Sequence, residues 1–175
     1  PVIVRQGSEI TPSSVIATAD SAHVFNFGQF FSLPFNGNQW TPAQPAPIVG
    51  PASLVKDNEF VHAFPWDLHD APLHTPYLWH TTRRLNSSTG WSTPFLIKIS
   101  IDVSGNWKSH SAAAAGRVRV VYKALEGAVY RDYTTSWSAE ETISAPLDFP
   151  NAVMMATNLP GVVCLWKQVQ PSQGV

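Results

Sequence analysis

From Phe95 to Val103 apolar and polar positions alternate almost without fault. Phe95, Ile97, Ile99, Ile101 and Val103 point one way; Leu96, Lys98, Ser100, Asp102 and Ser104 point the other. A period of two belongs to a strand with one covered face, and this is the strongest local signal in the chain. Val118, Val120, Tyr122 and Ala124 repeat it after an interruption, SGNWKSHSAAAAG, from Ser104 to Gly116. Four alanines can form a helical turn, but Gly105, Asn106 and Gly116 bracket too few residues for a stable isolated helix. The interruption is therefore read as an exposed loop between two strands, with Trp107 and small residues free to meet a neighbour.

Shorter β-rich segments recur along the rest of the chain. They are Ser14–Thr18, Ala22–Phe27, Phe60–Phe64, Tyr77–Leu85, Ala128–Tyr133, Thr135–Ile143, Ala152–Thr157 and Val162–Val169. In Ala22–Phe27 the alternation puts His23, Phe25 and Phe27 on one face and Ala22 and Val24 on the other. Pro65–Pro76 reads as loop and Asn86–Gly90 as a turn. Residues 34–53, PFNGNQWTPAQPAPIVGPAS, read as an irregular loop or arm of polyproline character within a single domain spanning 1–175. Fifteen prolines argue against long helices. Strands separated by turn signals predict an all-β antiparallel sandwich or barrel.

Composition sharpens this picture. Charged residues are only 13% of the chain against 44% apolar, about half the usual charged share. So sparse a charge, with seven Trp and nine Phe, suits a surface covered by partners or a neutral extracellular domain. The net charge of −1, with no basic run beyond Arg83-Arg84, argues against strong electrostatic binding of nucleic acid. The single cysteine, Cys164 in VVCLW, excludes an internal disulfide and reads as a buried thiol. No stretch approaches the ~20 apolar residues of a membrane span. The first residue is Pro1, which fits a chain cut from a longer precursor or otherwise shortened.

Several groups invite a chemical reading. His69, Asp70 and His74, with Asp67, are metal-ligand types, yet their spacing differs from a cupin site and Pro72 interrupts them. His110 between Ser109 and Ser111, with Asp102 or Asp132, offers triad components. Neighbouring residues on an extended chain point apart, however, and no nucleophile elbow is present. Glu140-Glu141 is the only adjacent carboxylate pair, and adjacency turns one of the two away. No Gly-rich phosphate loop occurs. The expectation is therefore no catalytic residues, no cofactor and no metal. Of the seven tryptophans, Trp40, Trp66, Trp91 and Trp107 fall in loops or at strand ends. They are the candidate contact residues, for other subunits first and for sugars second.

The order of these features resembles a known family. In TPYLWHTTRRLNSSTGWSTPFLIKISIDVSGNWKSHSAAAAGRVRVVYKAL, Thr75 to Leu125, a strand ends in Arg83-Arg84 and a Ser/Gly turn follows at Ser87–Gly90. The long alternating strand, a loop and the strand Gly116-Arg-Val-Arg-Val120 come next. This is similar to the middle of picorna-like virus capsid proteins, in particular the small single-jelly-roll subunits of plant secovirids of the comovirus and cheravirus type. Met154–Pro160 with Val162–Val169 resembles the last two strands of that family, and Val15–Leu33 its first.

The resemblance implies an eight-stranded jelly-roll β-sandwich with no catalytic site, a virion subunit that encloses a genome together with other capsid chains. Viral RNA would be met only weakly or indirectly, and membrane not at all. Pro1 would be a proteolytic product, and residues 34–53 a stiff connection draped over the subunit or a neighbour. The stretch between Leu125 and Leu147 is short for a comovirus subunit. A carbohydrate-binding β-sandwich and a cupin-like metal enzyme using His69 and His74 are the alternatives.

Overall fold

The structure is a computed structural model that describes residues 14–69, 75–85, 89–101, 109–114, 116–124, 127–143, 150–158 and 161–168. For His69 and residues 150–168 it describes the backbone alone. Among these residues every regular element is a strand, and every pairing is antiparallel.

The first sheet is β1 (Ser14–Ala17), β2 (Ser21–Asn26), β3 (Gln29–Pro34) and β4 (Gln44–Pro45). The second is β5 (Ala52–Lys56), β6 (Phe60–His69), β7 (Thr75–Arg84) and β8 (Phe95–Ile99). The third is β9 (Ser109–Ala114), β10 (Arg117–Ala124), β11 (Gly127–Tyr133) and β12 (Glu141–Thr142). β13 (Pro150–Asn158) and β14 (Gly161–Gln168) form a separate hairpin, of which β13 lies against β9. Within each sheet the strands follow one another in sequence order.

The second sheet is the middle layer. Phe64, Leu78, Ile97 and Ile101 meet Val118, Val120, Tyr122, Ala124 and Val129 of the third sheet in one core. From the opposite face of β5 and β6, Leu54, Val61 and Ala63 meet Phe25, Phe30 and Ala46 beside the first sheet. Residues 61–65 are consequently buried without a break, because both faces of β6 are covered. Each large core side chain here contributes roughly 1.5–3 kcal/mol by leaving water. The same double cover extends to β10, where Arg119, Val121 and Lys123 on its second face are buried too.

Four sequence expectations need correction. The second half of SGNWKSHSAAAAG is strand: β9 pairs with β10 in register from Arg117↔Ala114 to Tyr122↔Ser109, closing on Gly116 at φ +70°. Alanine is a poor strand former by itself, and the paired backbone of β10 overrides that preference. Pro65–Pro76 is not all loop either, since β6 runs on to His69 and β7 begins at Thr75. Pro65 and Pro76 sit opposite Ala52 and Leu68, with ring nitrogens that need no ladder bond.

Thr135–Ile143 is mostly irregular, with a single bridge at Trp137 and the short β12. Its Glu140 instead ties the segment to both the second and third sheets, accepting from Lys98 Nζ at 2.8 Å and from the Tyr122 hydroxyl at 2.9 Å. Finally, the long alternating strand ends as β8 at Ile99, where Ser100 takes φ +60° and Ile101 moves across to bridge Ala124 of β10. Ile97 and Ile101 are buried, but Phe95 and Ile99 are half exposed on this edge strand. Val103 lies outside the described residues.

The Pro-rich segment 34–53 is draped over the first sheet of its own chain. Gln44–Pro45 pairs with β3, the Thr41 amide donates to Ser32 O at 2.8 Å, and the Ala46 amide donates to Gly28 O at 2.7 Å.

Candidate functional site

The most distinctive surface feature grows out of the β2–β3 hairpin. Asn26 and Gln29 pair, leaving the two-residue turn Phe27-Gly28 with φ +45° and +72°. Both central residues thus have positive φ, as in a type I′ turn, which strongly favours Asn or Gly at the first position. A phenylalanine there costs about 1 kcal/mol, and the residue is 40% exposed. Phe27 stands at the lip of an apolar groove of about 780 Å³, completed by Ile48, Val49, Leu68, Trp66 and Trp79.

The groove walls are fixed. Trp79 Nε1 donates to Asp67 Oδ1 at 2.7 Å, which holds the indole on β7. The Trp66 amide donates to Pro51 O at 3.1 Å, clamping the 47–51 segment onto β6. That clamp requires glycine at position 50, where an added Cβ would lie 2.0 Å from the Trp66 carbonyl oxygen. Val49 is 69% exposed and Leu68 51%. Phe95 and Ile99 on the edge strand β8 are also about half exposed.

The four tryptophans expected at contacts do not converge. Trp66 lines the groove while packing partly on the core between the second and third sheets. Trp91 belongs to the other core, edge-on to Phe25 at 5.9 Å and to Phe30 at 5.4 Å. Trp40 is half-buried on the segment between β3 and β4. Trp107 lies outside the described residues. The sequence reading missed Phe27, Val49, Leu68 and Trp79. An aromatic residue in the first turn position of NFGQ, and the apolar pair Ile48-Val49 among prolines, were the available signals.

Inside the molecule the second and third sheets enclose a chain of polar groups. Asp57, in the β5–β6 turn, accepts from the amides of Glu59 and Phe60 through Oδ1 at 2.8 and 2.7 Å. Its Oδ2 lies 3.0 Å from His62 Nε2, and His62 Nδ1 lies 3.0 Å from His80 Nε2. A carboxylate only accepts, so His62 donates from Nε2 and accepts from the Nε2–H of His80. His80 is packed against Phe64, Tyr133 and Trp137, with centroids 5.1, 5.0 and 5.0 Å away.

Burial, then the neighbouring His62, brings the His80 pKa down to about 3. Burial also lowers that of His62, against the opposing pull of Asp57. Burial pushes Asp57 the other way, but the Phe60 and Glu59 amides and His62 outweigh it and hold the carboxyl below its ordinary range. The row is a buried, neutral imidazole pair oriented by one carboxylate.

The other chemical candidates are dispersed. Ser109 Oγ is 3.2 Å from Ser53 Oγ, Asp132 is paired with Arg119 at 3.2 Å and Arg117 at 3.6 Å, and burial lowers the His110 pKa. Asp102, Asp70 and His74 lie outside the described residues, as does the side chain of His69. Asp67 is the acceptor for Trp79. Among the described residues no three His, Cys, Asp or Glu side chains gather as a metal site. Comparison of the chain with family models, curated proteins and solved structures finds no match.

Proposed function

We propose that this chain is a structural subunit of an icosahedral RNA-virus capsid, of the jelly-roll class, assembling with other capsid chains around a genome. The observation that carries the reading is Phe27, an aromatic ring kept in a left-handed turn at the lip of an uncovered apolar groove. Strained residues of this kind persist where a surface has work to do, and an exposed apolar groove works by being covered. The antiparallel sheets of the described residues and the low charge of the chain support the same reading. Repeated contacts of moderate area would hold such a shell together, each subunit meeting several others.

Phe27→Asn separates the two roles. Asparagine suits the turn, so the variant should unfold about 1 kcal/mol harder than the parent in urea. Its assembly with companion chains, followed by sedimentation and electron microscopy, should weaken. A parent protein that stays monomeric at high concentration, with no particle in its native source, would remove the reading altogether.

Trp79, held beside Asp67 in the groove, also suits sugar stacking, which makes a carbohydrate-binding module the second reading. A glycan array probed with the parent and with Trp79→Ala decides between them, since a shell contact predicts no glycan signal from either.

A further inference from the structure

The first and second sheets meet apolar side to apolar side over Phe25, Phe30, Val61 and Ala63. At the end where β2 begins and β7 stops, the same inner faces become polar. Ser21 and His23 share the face of Phe25, Ser32 stands opposite His23, and Gln44 stands opposite Phe30. From the second sheet, Arg83 lies opposite Val61 in register and places its guanidinium over the Phe30 ring, 5.6 Å from the centroid. These groups surround a cavity of about 190 Å³, large enough for several waters or one small ion.

His23 is the informative member. It is 7% exposed, its ring lies parallel to Phe30 at 5.4 Å, and Nδ1 is 2.8 Å from Ser32 Oγ. Its Nε2 is buried and has no hydrogen-bond partner among the described residues. A buried polar atom without a partner costs about 1–3 kcal/mol, so a protein keeps one where something else completes it. Serine can donate to Nδ1, which leaves Nε2–H as a donor in need of an acceptor.

The chemistry of the lining selects that acceptor. Arg83, Arg84, His23, Ser21 and Gln44 offer donors, and among the described residues no carboxylate lines the cavity. The charged groups facing His23 from the surrounding elements are Arg83 and, from the turn before β2, Asp20. Asp20 is engaged by the Thr18 hydroxyl at 2.8 Å, and the nearby Glu59 by Arg84 at 3.3 Å. A cation would be repelled here, and an apolar group would leave Nε2 unsatisfied. We propose that this crevice binds a phosphate-type oxyanion, held by the Arg83 guanidinium and by His23 Nε2 between the two sheets. The site lies apart from the groove and does not depend on what covers that groove.

Burial keeps His23 below the ordinary histidine pKa, with Asp20 opposing and Arg83 reinforcing. A bound oxyanion should reverse that. The experiment is a long-range 1H–15N NMR titration of the intact protein with inorganic phosphate, repeated with a short single-stranded RNA. The His23 ring signals should shift saturably toward the protonated form, and its pKa should rise. Arg83→Gln should weaken phosphate binding about tenfold or more, through loss of a charge-assisted bond. RNA that displaces phosphate would make the ligand a polymer phosphate, and RNA that does not would leave free phosphate as the ligand. His23 signals unmoved by phosphate in the parent overturn the proposal whatever the variant does, and so does undiminished binding by a folded Arg83→Gln.

Discussion

Acidifying the protein from about pH 7 to about pH 5 should remove about 2 kcal/mol of folding stability, chiefly through His80. His80 is 4% exposed, ringed by Phe64, Tyr133 and Trp137, and its native pKa of about 3 lies far below the ordinary 6.5. In the window between those values the unfolded chain binds a proton that the native fold refuses. Stability therefore rises with pH there: it is complete above the unfolded pKa and falls by about 1.4 kcal/mol per pH unit as acid is added. His62, His23 and His110 are shifted in the same direction and deepen the loss. Asp57, held below the usual carboxylate range, adds its own loss only at lower pH.

Urea unfolding across this range, with His80→Gln as the comparison, tests the assignment. Glutamine can still donate to His62 Nδ1 but does not titrate. Its stability should therefore vary less with pH than that of the parent, and parallel curves would show that the acid sensitivity lies elsewhere.

Gly50→Ala should cost about 2–3 kcal/mol, because Gly50 is buried against the β6 backbone. The new Cβ would stand 2.0 Å from the Trp66 carbonyl oxygen and 3.0 Å from its carbon. Both are backbone atoms, so no rotamer change relieves the clash, and the 47–51 segment must lift from β6. The Trp66 amide then loses Pro51 O, and the groove loses the wall formed by Ile48 and Val49. Assembly should fail along with stability. Gly90→Ala is the control, because nothing lies within 4 Å of a Cβ there; its midpoint should stay close to that of the parent. Equal behaviour of the two variants would mean that the 47–51 segment is not held as the structure shows.

The strands themselves were legible because alternation is a local property of extended backbone. Val118, Val120, Tyr122 and Ala124 are buried on one core as their spacing requires. The covering of the opposite face was not legible. Arg119 and Lys123, between those positions in the alternation, are charged and yet only 4% and 6% exposed. A period of two says which side chains share a face and nothing about what lies over that face. Ile99 shows the reverse: it belongs to the apolar set of its strand, yet 49% of it is exposed at the sheet edge.

Of the candidate site, the tryptophans were visible only as residue types. Trp66 and Trp79 both border one groove, yet the pairing of β6 with β7 sets Trp66 with Leu78 on one face of the sheet and Trp79 with Asp67 and Tyr77 on the other. Trp91 is far from them in role, clasped between Phe25 and Phe30. Nothing in the spacing of the seven tryptophans distinguishes these outcomes, since each depends on partners dozens of residues away.

The sequence by itself determined an antiparallel all-β chain with little charge, because proline frequency, alternation and turn residues act within a few neighbouring residues. Only the tertiary structure decided that the second sheet is covered on both sides, that the alanines of 112–114 are strand, and that Phe27 faces outward from a left-handed turn. Those outcomes come from pairing and layering between distant segments, whose hydrogen bonds and buried area outweigh the local preferences of alanine and phenylalanine.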